Sequence, residues 1–502
     1  MKISSRLFSL SNNLDALFIG LIGFFLIQVF SRHSGIGVSP DSVTYISSAR
    51  HLVHGHGFKN FENLPTVDFP FAYPLFLAII SFISGLDPLQ FGPMLNSLLF
   101  GLLIYVCGGI MNAFSNNSGW YKRIILLCVL MSPALQEVYS MLWSETAFLL
   151  LILFFIIAIS KYLEKTTMKW LLISAVICAI TCLTRYAGVF LVCTGLAILF
   201  FNRENAWPRR LLHSFIFGGI SISLLLTNIV RNLIVAGTAT GPRPRSTIGI
   251  IKILEYFGGV ICDWLLLERK PALAIFLAVI LLLVFLLIIF IYANRDHVAF
   301  RVEYVVAVTG LFFSLFMLYS YSITRYEQFT NRLLSPVFIP LLWSLTWWLP
   351  GFIFSLSFRM KYFTGISAMI LTAVFLNIQL KADYEYYDGV RDAGIPGYQE
   401  DPFVQSEIAQ YIKNNNAGFN STYQVYSNAG DAYYFATGWP ARQLPFNDFP
   451  ETVRAYYHTN NNYLVWFNDL DNPDMPHLDS ILQNKPMVLV KQLRDGAVYI
   501  TK

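Results

Sequence analysis

The chain has 502 residues, of which 55 % are apolar, 16 % aromatic and 13 % charged, and its formal net charge is +5. Soluble domains carry about 25 % charged residues, so this composition excludes an ordinary soluble protein. We predict a polytopic membrane protein whose bulk is helical, because helices satisfy their own backbone hydrogen bonds in lipid.

About eleven apolar segments are predicted to cross the membrane. In chain order they are residues 13–30, 89–111, 123–140, 145–160, 170–184, 187–202, 212–230, 272–292, 304–322, 333–350 and 363–380. We interpret the first segment as an uncleaved anchor, because it is too long for a signal peptide and no small-residue cleavage site follows it.

Basic residues between these segments predict the orientation of the chain. By the positive-inside rule, Lys2 and Arg6 place the N-terminus in the cytoplasm. An odd number of spans keeps the later basic clusters on the same side and puts the C-terminus outside. Those clusters are Lys122/Arg123, Lys161/Lys165/Lys169, Arg203/Arg209/Arg210, Arg295/Arg301 and Arg359/Lys361. We therefore expect an integral protein of the plasma (inner) membrane with a cytoplasmic N-terminus.

The outer loop at residues 31–88 follows the first span and is predicted to hold two juxtamembrane helices. Val43, Ile46, Ala49 and Val53 recur at helical spacing, which predicts an amphipathic helix lying in the membrane interface with Asp41 at its start. The apolar stretch at 69–85 is predicted to be juxtamembrane or half-inserted, because counting it as a span would put every later basic cluster outside.

After about residue 381 the composition becomes polar, and no further segment is predicted to span. We expect a transmembrane domain at residues 1–380 and an extracytoplasmic three-layer α/β domain at 381–502. Its predicted helices cover 402–414, 431–437, 451–457 and 478–482, and its strands cover 423–426, 463–467, 487–490 and 497–500.

Charged residues of the spans gather at their predicted outer ends, and the predicted midplane is nearly free of charge. The residues concerned are Glu137, Glu145, Arg185, Arg231, Arg325, Glu327 and Arg332. Ion-coupled transporters place ionisable groups near the midplane, so this pattern favours an enzyme working at the outer surface.

Three carboxylates are candidates for catalysis, and each has a structural alternative. Asp41 is either a base at the membrane surface or the N-cap of its helix. Glu145 is either catalytic or placed to complement the helix dipole, and Asp68 is either catalytic or an ordinary loop residue. His51, His54 and His56 are candidate metal ligands, although they alternate around a surface helix and a turn.

Four arginines at the predicted outer ends are candidates for binding phosphate. These are Arg185, Arg243, Arg245 and Arg332. Arginine binds phosphate bidentately and stays charged. The alternative for each is that its side chain extends to the lipid headgroups.

These segments together resemble the GT-C superfamily of membrane glycosyltransferases, whose donors are polyisoprenyl-phosphate sugars. Relatives include the protein O-mannosyltransferases and the lipid A aminoarabinose transferases. The resemblance covers roughly residues 10–350. The matching pieces are Asp41-Ser42-x-x-Tyr45 followed by Gly55-x-Gly57-Phe58, Phe71-Ala72-Tyr73-Pro74-Leu75, Ser144-Glu145, Thr184-Arg185-Tyr186-Ala187-Gly188 and Arg332-Leu333-Leu334-Ser335-Pro336.

The resemblance implies a GT-C-like transmembrane domain with Asp41 as base or substrate-orienting carboxylate, Tyr45 in the substrate site and basic residues holding the lipid phosphate. The family often has a paired acidic motif in this loop, whereas here Asp41 stands between Pro40 and Ser42. The second carboxylate is therefore open between Glu145 and Asp68. The C-terminal domain resembles accessory periplasmic domains of such enzymes.

The expected function is transfer of a hexose or pentose from a polyprenyl-phosphate donor to a glycan, lipid or protein acceptor at the outer membrane face, without a nucleic-acid partner. The sequence identifies no cofactor, and a divalent cation stays open. The alternatives are a transporter or flippase of lipid-linked glycans, and a non-catalytic scaffold or sensor. The sugar, the acceptor, the isoprenoid and the oligomeric state are not determined by these patterns.

Overall fold

The computed structural model describes residues 10–116, 118–293, 302–325, 328–415 and 418–502. Lys2, Arg6, Arg295, Arg301 and Glu327, which entered the charge argument above, lie outside the described residues.

Twenty-one helices and five strands make up the described parts of the chain. The helices are α1 (Leu10–Phe30), α2 (Pro40–Val53), α3 (Ala72–Ser84), α4 (Pro88–Met111), α5 (Gly119–Leu130), α6 (Pro133–Ser140), α7 (Glu145–Lys165), α8 (Met168–Thr184), α9 (Val189–Phe200), α10 (Trp207–Ala236), α11 (Ile250–Trp264), α12 (Pro271–Ala293), α13 (Val302–Ile323), α14 (Asn331–Thr346), α15 (Leu349–Ser355), α16 (Phe358–Ala393), α17 (Asp401–Val404), α18 (Glu407–Asn415), α19 (Gly430–Thr437), α20 (Pro450–His458) and α21 (Leu478–Asn484). The strands are β1 (Gln424–Ser427), β2 (Arg442–Gln443), β3 (Asn462–Phe467), β4 (Met487–Gln492) and β5 (Gly496–Thr501).

Every predicted span coincides with one of these helices or with a broken helix pair, so the expected polytopic helical architecture is confirmed. In the described ranges, eight helices are long and apolar enough to cross a membrane, or nine if the bent pair α5–α6 counts as one span. The spans expected at 170–184 and 187–202 correspond to α8 and α9, which have 17 and 12 residues. A straight span needs about 20 residues, so length alone does not identify these two helices as spans.

The chain forms two compact units. The first contains Met1–Val29, Val67–Tyr73 and Met94–Asp388, and the second contains Phe30–Thr66, Pro74–Pro93 and Gly389–Lys502. The predicted boundary near residue 381 falls inside α16, and most of the outer loop belongs to the second unit.

Close backbone contact holds the helices of the first unit together. A Cβ at Gly20 of α1 would lie 2.7 Å from the carbonyl oxygen of Gly101 in α4, and a Cβ at Gly101 would lie 2.8 Å from that of Gly20. Membrane helices pack through such small residues because lipid removes the hydrophobic drive for association.

A break separates α5 from α6 in this unit. Pro133 cannot continue the helix, and the two helices meet at 52°. Buried side chains satisfy carbonyl groups at the break and at the C-terminal end of α6. Gln136 donates to Leu130 O (3.0 Å), and Asn96 donates to Tyr139 O (2.9 Å) and Met141 O (2.7 Å). Irregular backbone at a helix break inside a membrane protein requires such partners.

In the second unit, α2 begins at Ser39, which is its N-cap, and the side chains of Ser39 and Ser42 form a capping box. The N-cap alternative for Asp41 is therefore wrong. All eight residues from Ser42 to Ala49 are buried, so the expectation of a surface helix with one apolar face is also wrong. Its small hydroxyl side chains can be buried because they find acceptors, as Ser47 does at Thr44 O (3.1 Å).

The end of α2 is held within the same unit by a bidentate ion pair. Arg50 Nε lies 2.7 Å and Nη2 3.1 Å from the two carboxylate oxygens of Asp87. Parallel hydrogen bonds of this kind fix orientation as well as distance.

The five-stranded sheet has the order β2-β1-β3-β5-β4, with β1 parallel to β2 and β3, and β5 antiparallel to β3 and β4. On one face, Leu464 and Trp466 of β3 pack with Tyr456 of α20 and Ile481 of α21. On the other face, Phe403 of α17 stacks on Phe467. The predicted three-layer arrangement is confirmed. The two-residue strand β2 was not predicted, because no apolar run marks it in the sequence.

We predict that residue 165 faces the cytoplasm and residue 451 the exterior, because the basic clusters place them on opposite sides. Lys165 and Glu451 are exposed, so cysteines introduced there should react readily. The variants are made on a Cys193→Ser background, because Cys193 is exposed and the other five native cysteines are buried. In sealed cells, an impermeant maleimide should label position 451 and should label position 165 only after permeabilisation. The reverse pattern would contradict the orientation.

Candidate functional site

The Glu145 carboxylate is the centre of a buried charge cluster in the first unit. Glu145 is the first residue of α7 and is 1 % exposed. Arg185 Nη1 lies 2.6 Å from Oε2, and Arg332 Nε lies 2.5 Å from Oε1. We call Glu145, Arg185 and Arg332 the arginine clamp.

Three helix ends bring the clamp together. Arg185 follows the last residue of α8 in an extended conformation, and Arg332 is the second residue of α14. Gly188 allows the chain after Arg185 to fold back closely, because a Cβ there would lie 2.6 Å from Cys182 N and Thr181 O. The structure therefore unites residues that are 187 positions apart in sequence.

Aromatic and hydroxyl groups complete the surroundings of the clamp. The Arg332 guanidinium carbon lies 4.1 Å from the centre of the Trp143 ring, which is a favourable cation–π distance. Arg185 Nη1 also donates to Ser144 Oγ at 2.8 Å. The segment between α6 and α7 thus supplies an aromatic face to Arg332 and a hydroxyl group to Arg185.

The clamp is suited to binding an anion. Two guanidinium groups face one carboxylate, which leaves one net positive charge among side chains that are 20 %, 17 % and 2 % exposed. Because both oxygens of Glu145 are engaged by arginines, this carboxylate orients the clamp and is poorly placed to accept a proton from a substrate. Attraction between charges is also stronger here than in water.

Asp68, Arg243 and Arg245 lie in exposed loops of the same unit and outside the clamp. Arg243 Nη2 donates to the carbonyl oxygen of Asp68 at 3.4 Å. Gly241, at φ +78°, has no room for a Cβ because the Asp68 carboxylate lies against it. Arg245 pairs through its main chain with Thr324. Their roles in a substrate site stay predictions.

A hydrogen-bond network that the sequence analysis missed anchors Val67, the neighbour of Asp68. Tyr186 donates to Val67 O at 2.7 Å, and Asn232 donates to Tyr186 Oη (3.0 Å) and Ala239 O (2.8 Å). Asn232 is fully buried in α10. A buried asparagine in an apolar helix is a signal that could have identified it.

In the second unit, Asp41 occupies the first turn of α2 and is partly exposed, whereas Tyr45 is 1 % exposed. A tyrosine so buried is placed for packing, and its proposed contact with substrate stays a prediction. Asp41 has the accessibility that a base or orienting carboxylate requires.

Asp431 is a carboxylate of this unit that the sequence analysis did not select. It lies in the first turn of α19, which packs against α2, and it is 6 % exposed. Tyr398 Oη donates to its Oδ2 at 2.7 Å. Burial raises the pKa of Asp431; the Tyr398 hydrogen bond lowers it and the nearby Asp41 charge raises it further. Burial raises the pKa of Tyr398, and the Asp431 carboxylate raises it further.

The three histidines of the outer loop are near one another. The ring centres of His51 and His54 each lie 6.1 Å from that of His56. Burial lowers the pKa of His51, whose Nδ1 is 3.0 Å from Lys59 O. Across the described residues, no group of three or more His, Cys, Asp or Glu side chains has the geometry to hold a metal ion.

The fold matches that of ArnT from Cupriavidus metallidurans in two solved structures. One, described as bound to undecaprenyl phosphate, has a TM-score of 0.60, and the other, described as the apo state, has a TM-score of 0.57. In both, the sequences are 13 % identical and 98 % of each chain is covered. The likeness confirms the expected GT-C fold of an integral membrane protein. No protein-family model and no curated protein matches the sequence.

We predict that Glu145→Gln lowers the free energy of unfolding by about 3–5 kcal/mol, because it leaves two largely buried guanidinium groups without the carboxylate that bridges them. Thermal unfolding of the purified protein in nanodiscs would measure the loss. The double variant Glu145→Gln/Arg185→Gln should recover part of it, since one uncompensated charge is removed. An unchanged unfolding temperature for Glu145→Gln would show that the clamp does not stabilise the fold.

Proposed function

We propose, from the fold shared with ArnT, that this protein is a glycosyltransferase that uses a polyprenyl-phosphate-linked sugar as donor at the outer membrane face. The observation that carries the proposal is the arginine clamp, a largely buried site at the ends of three helices whose three side chains together carry one net positive charge. One of the ArnT structures is described as bound to undecaprenyl phosphate, a ligand of the matching chemistry.

In this proposal the clamp binds the donor phosphate and stabilises it as it leaves. A sugar linked to a lipid phosphate already has a good leaving group, so the enzyme needs to stabilise the charge that develops on the phosphate oxygen. Glu145 holds the two guanidinium groups in place before substrate arrives, which lowers the cost of organising the site during the reaction. Trp143 restricts the Arg332 side chain in the same way.

Asp41 acts as the base or orienting carboxylate for the acceptor. The acceptor hydroxyl or amine gives its proton to the carboxylate as its oxygen or nitrogen bonds to the anomeric carbon, and the bond from that carbon to the phosphate breaks. Its partial exposure and its place in the first turn of a well-anchored helix support this role. The identity of the sugar as hexose or pentose, the acceptor, the inner-membrane location and the outward C-terminus belong to the same proposal.

A flippase or transporter of lipid-linked glycans is the other candidate. It is favoured by the polar face of α10, where His213, Ser221, Asn228 and Asn232 are all buried. These groups bond to neighbouring residues, as His213 does to Tyr162 (2.5 Å) and Asn232 to Tyr186 (3.0 Å), which indicates a packing role.

Arg332→Lys and Arg185→Lys should each weaken binding of undecaprenyl phosphate by about tenfold, because an ammonium lacks the planar two-donor group that a phosphate and Glu145 engage together. The affinity can be measured by native mass spectrometry of the protein titrated with the lipid. Arg209→Lys is the matched control, since Arg209 is exposed at the opposite end of the spans. Wild-type affinity in both clamp variants would remove these arginines from the lipid site.

Asp41→Asn should lower kcat at least 100-fold and leave undecaprenyl phosphate binding unchanged, because the amide cannot take the acceptor proton. Transfer is measured with a panel of sugars linked to undecaprenyl phosphate. Asp479→Asn is the control, since it removes a first-turn helix carboxylate from the same unit. Near wild-type transfer by Asp41→Asn would show that Asp41 has only a structural role.

A further inference from the structure

Glu137 is a second carboxylate beside the arginine clamp, and it differs from Glu145 in accessibility. It lies on α6, the short helix after the break, and is partly exposed, whereas Glu145 is 1 % exposed. Arg332 is close enough to act on Glu137 electrostatically. Two carboxylates, one on α6 and one at the start of α7, therefore share the field of one arginine.

A chain of hydrogen bonds fixes Glu137 in place. Asn331 Nδ2 donates to Glu137 Oε2 at 3.3 Å, and Trp264 Nε1 donates to Asn331 Oδ1 at 3.1 Å. Asn331 directly precedes Arg332, so the same turn of α14 holds both the clamp arginine and the partner of Glu137.

Polar groups of other elements surround the same carboxylate. Tyr386 of α16 is close enough for the Glu137 charge to act on it, and its hydroxyl lies 3.0 Å from Ser140 Oγ. Gln136, the neighbour of Glu137, donates to Asp383 Oδ2 at 2.9 Å. Asn331 of α14 thus holds Glu137 next to Arg332, and polar side chains of α16 bond to neighbouring residues of α6.

The charge of the ligand differs before and after sugar transfer. A lipid-linked sugar phosphate is a diester with one negative charge, and the clamp without Glu137 carries one net positive charge. The lipid phosphate left after transfer is a monoester, which carries about −1.5 to −2 charges near neutral pH. A nearby carboxylate therefore repels the monoester more strongly than the diester, because the repulsion grows with the ligand charge.

We infer that Glu137 is a specificity-determining residue of the clamp, which disfavours the phosphate monoester product relative to the diester donor and so promotes product release. This inference rests on the proposed function. Glu137 acts through its charge and its proximity to Arg332, and it takes part in no bond-making step.

Two lipids that differ by one ionisation test the inference. The probes are undecaprenyl phosphate, a monoester, and its methyl ester, a diester with a single charge. At pH 8, Glu137→Gln should bind undecaprenyl phosphate about three- to tenfold more tightly than the wild type and bind the methyl ester with less than a twofold change. Glu137→Asp retains the charge and should keep most of the wild-type difference between the two lipids. Glu385→Gln, an exposed carboxylate of the same unit, should change neither affinity.

The possible failures are distinguishable. If Glu137→Gln changes both affinities equally or changes neither, the charge selection is wrong and the proposed function stands. If the wild-type protein binds neither lipid, both the inference and the proposed polyprenyl-phosphate donor are wrong. Thermal unfolding of each variant shows whether it is folded. If Glu137→Gln is unfolded, the comparison of Glu137→Asp with the wild type decides. Because Glu137→Asp keeps the charge, its loss of discrimination between the two lipids would overturn the inference.

Discussion

The pairing of one buried carboxylate with two arginines is the constraint on which the candidate site in the first unit depends. Ionised groups that are nearly removed from water are tolerated only when charge and geometry compensate each other. Glu145, Arg185 and Arg332 meet this condition because three helix ends converge, with contacts of 2.6 Å and 2.5 Å. A shift in any of these helices would separate the charges, so the packing of the bundle and the geometry of the site are specified together.

The break between α5 and α6 sets the direction of the segment that leads to Glu145. A continuous helix from Gly119 to Ser140 would carry Glu137 in a straight span, whereas the 52° bend gives α6 its own direction. Gln136 satisfies a carbonyl group at the break, and Asn96 satisfies two carbonyl groups at the C-terminal end of α6, so the irregular backbone is stable. Broken helices recur in membrane proteins where polar substrates bind, because the break places helix ends and polar groups inside the membrane domain.

The second unit shows how a polar loop is made rigid. Helix α2 is capped by Ser39, held by Arg50 on Asp87 and packed against α19, which carries Asp431. A carboxylate such as Asp41 can contribute to catalysis only if its backbone is fixed, since small misplacements are costly in rate. This unit therefore contains the partners that fix the helix carrying Asp41.

The sequence by itself determined the class of the protein. The length of an apolar segment indicates whether it can lie in lipid, and the alternation of apolar and polar residues indicates which faces of an element meet water. The sequence predicted the positions of the apolar helices, and it placed the strands β3 and β5 and the helices α19 to α21 within a few residues. It also selected Glu145, Arg185 and Arg332 from their places at the ends of predicted spans. Only the tertiary structure decided that these three form one cluster, that α2 is buried all round from Ser42 to Ala49, that the helix carrying Asp431 packs against α2, and that Glu137 lies near Arg332. Residues such as Glu145 and Arg332 are far apart along the chain, and local patterns carry no information on which distant helix ends meet; that is settled by packing and by the need of each buried charge for a counter-ion.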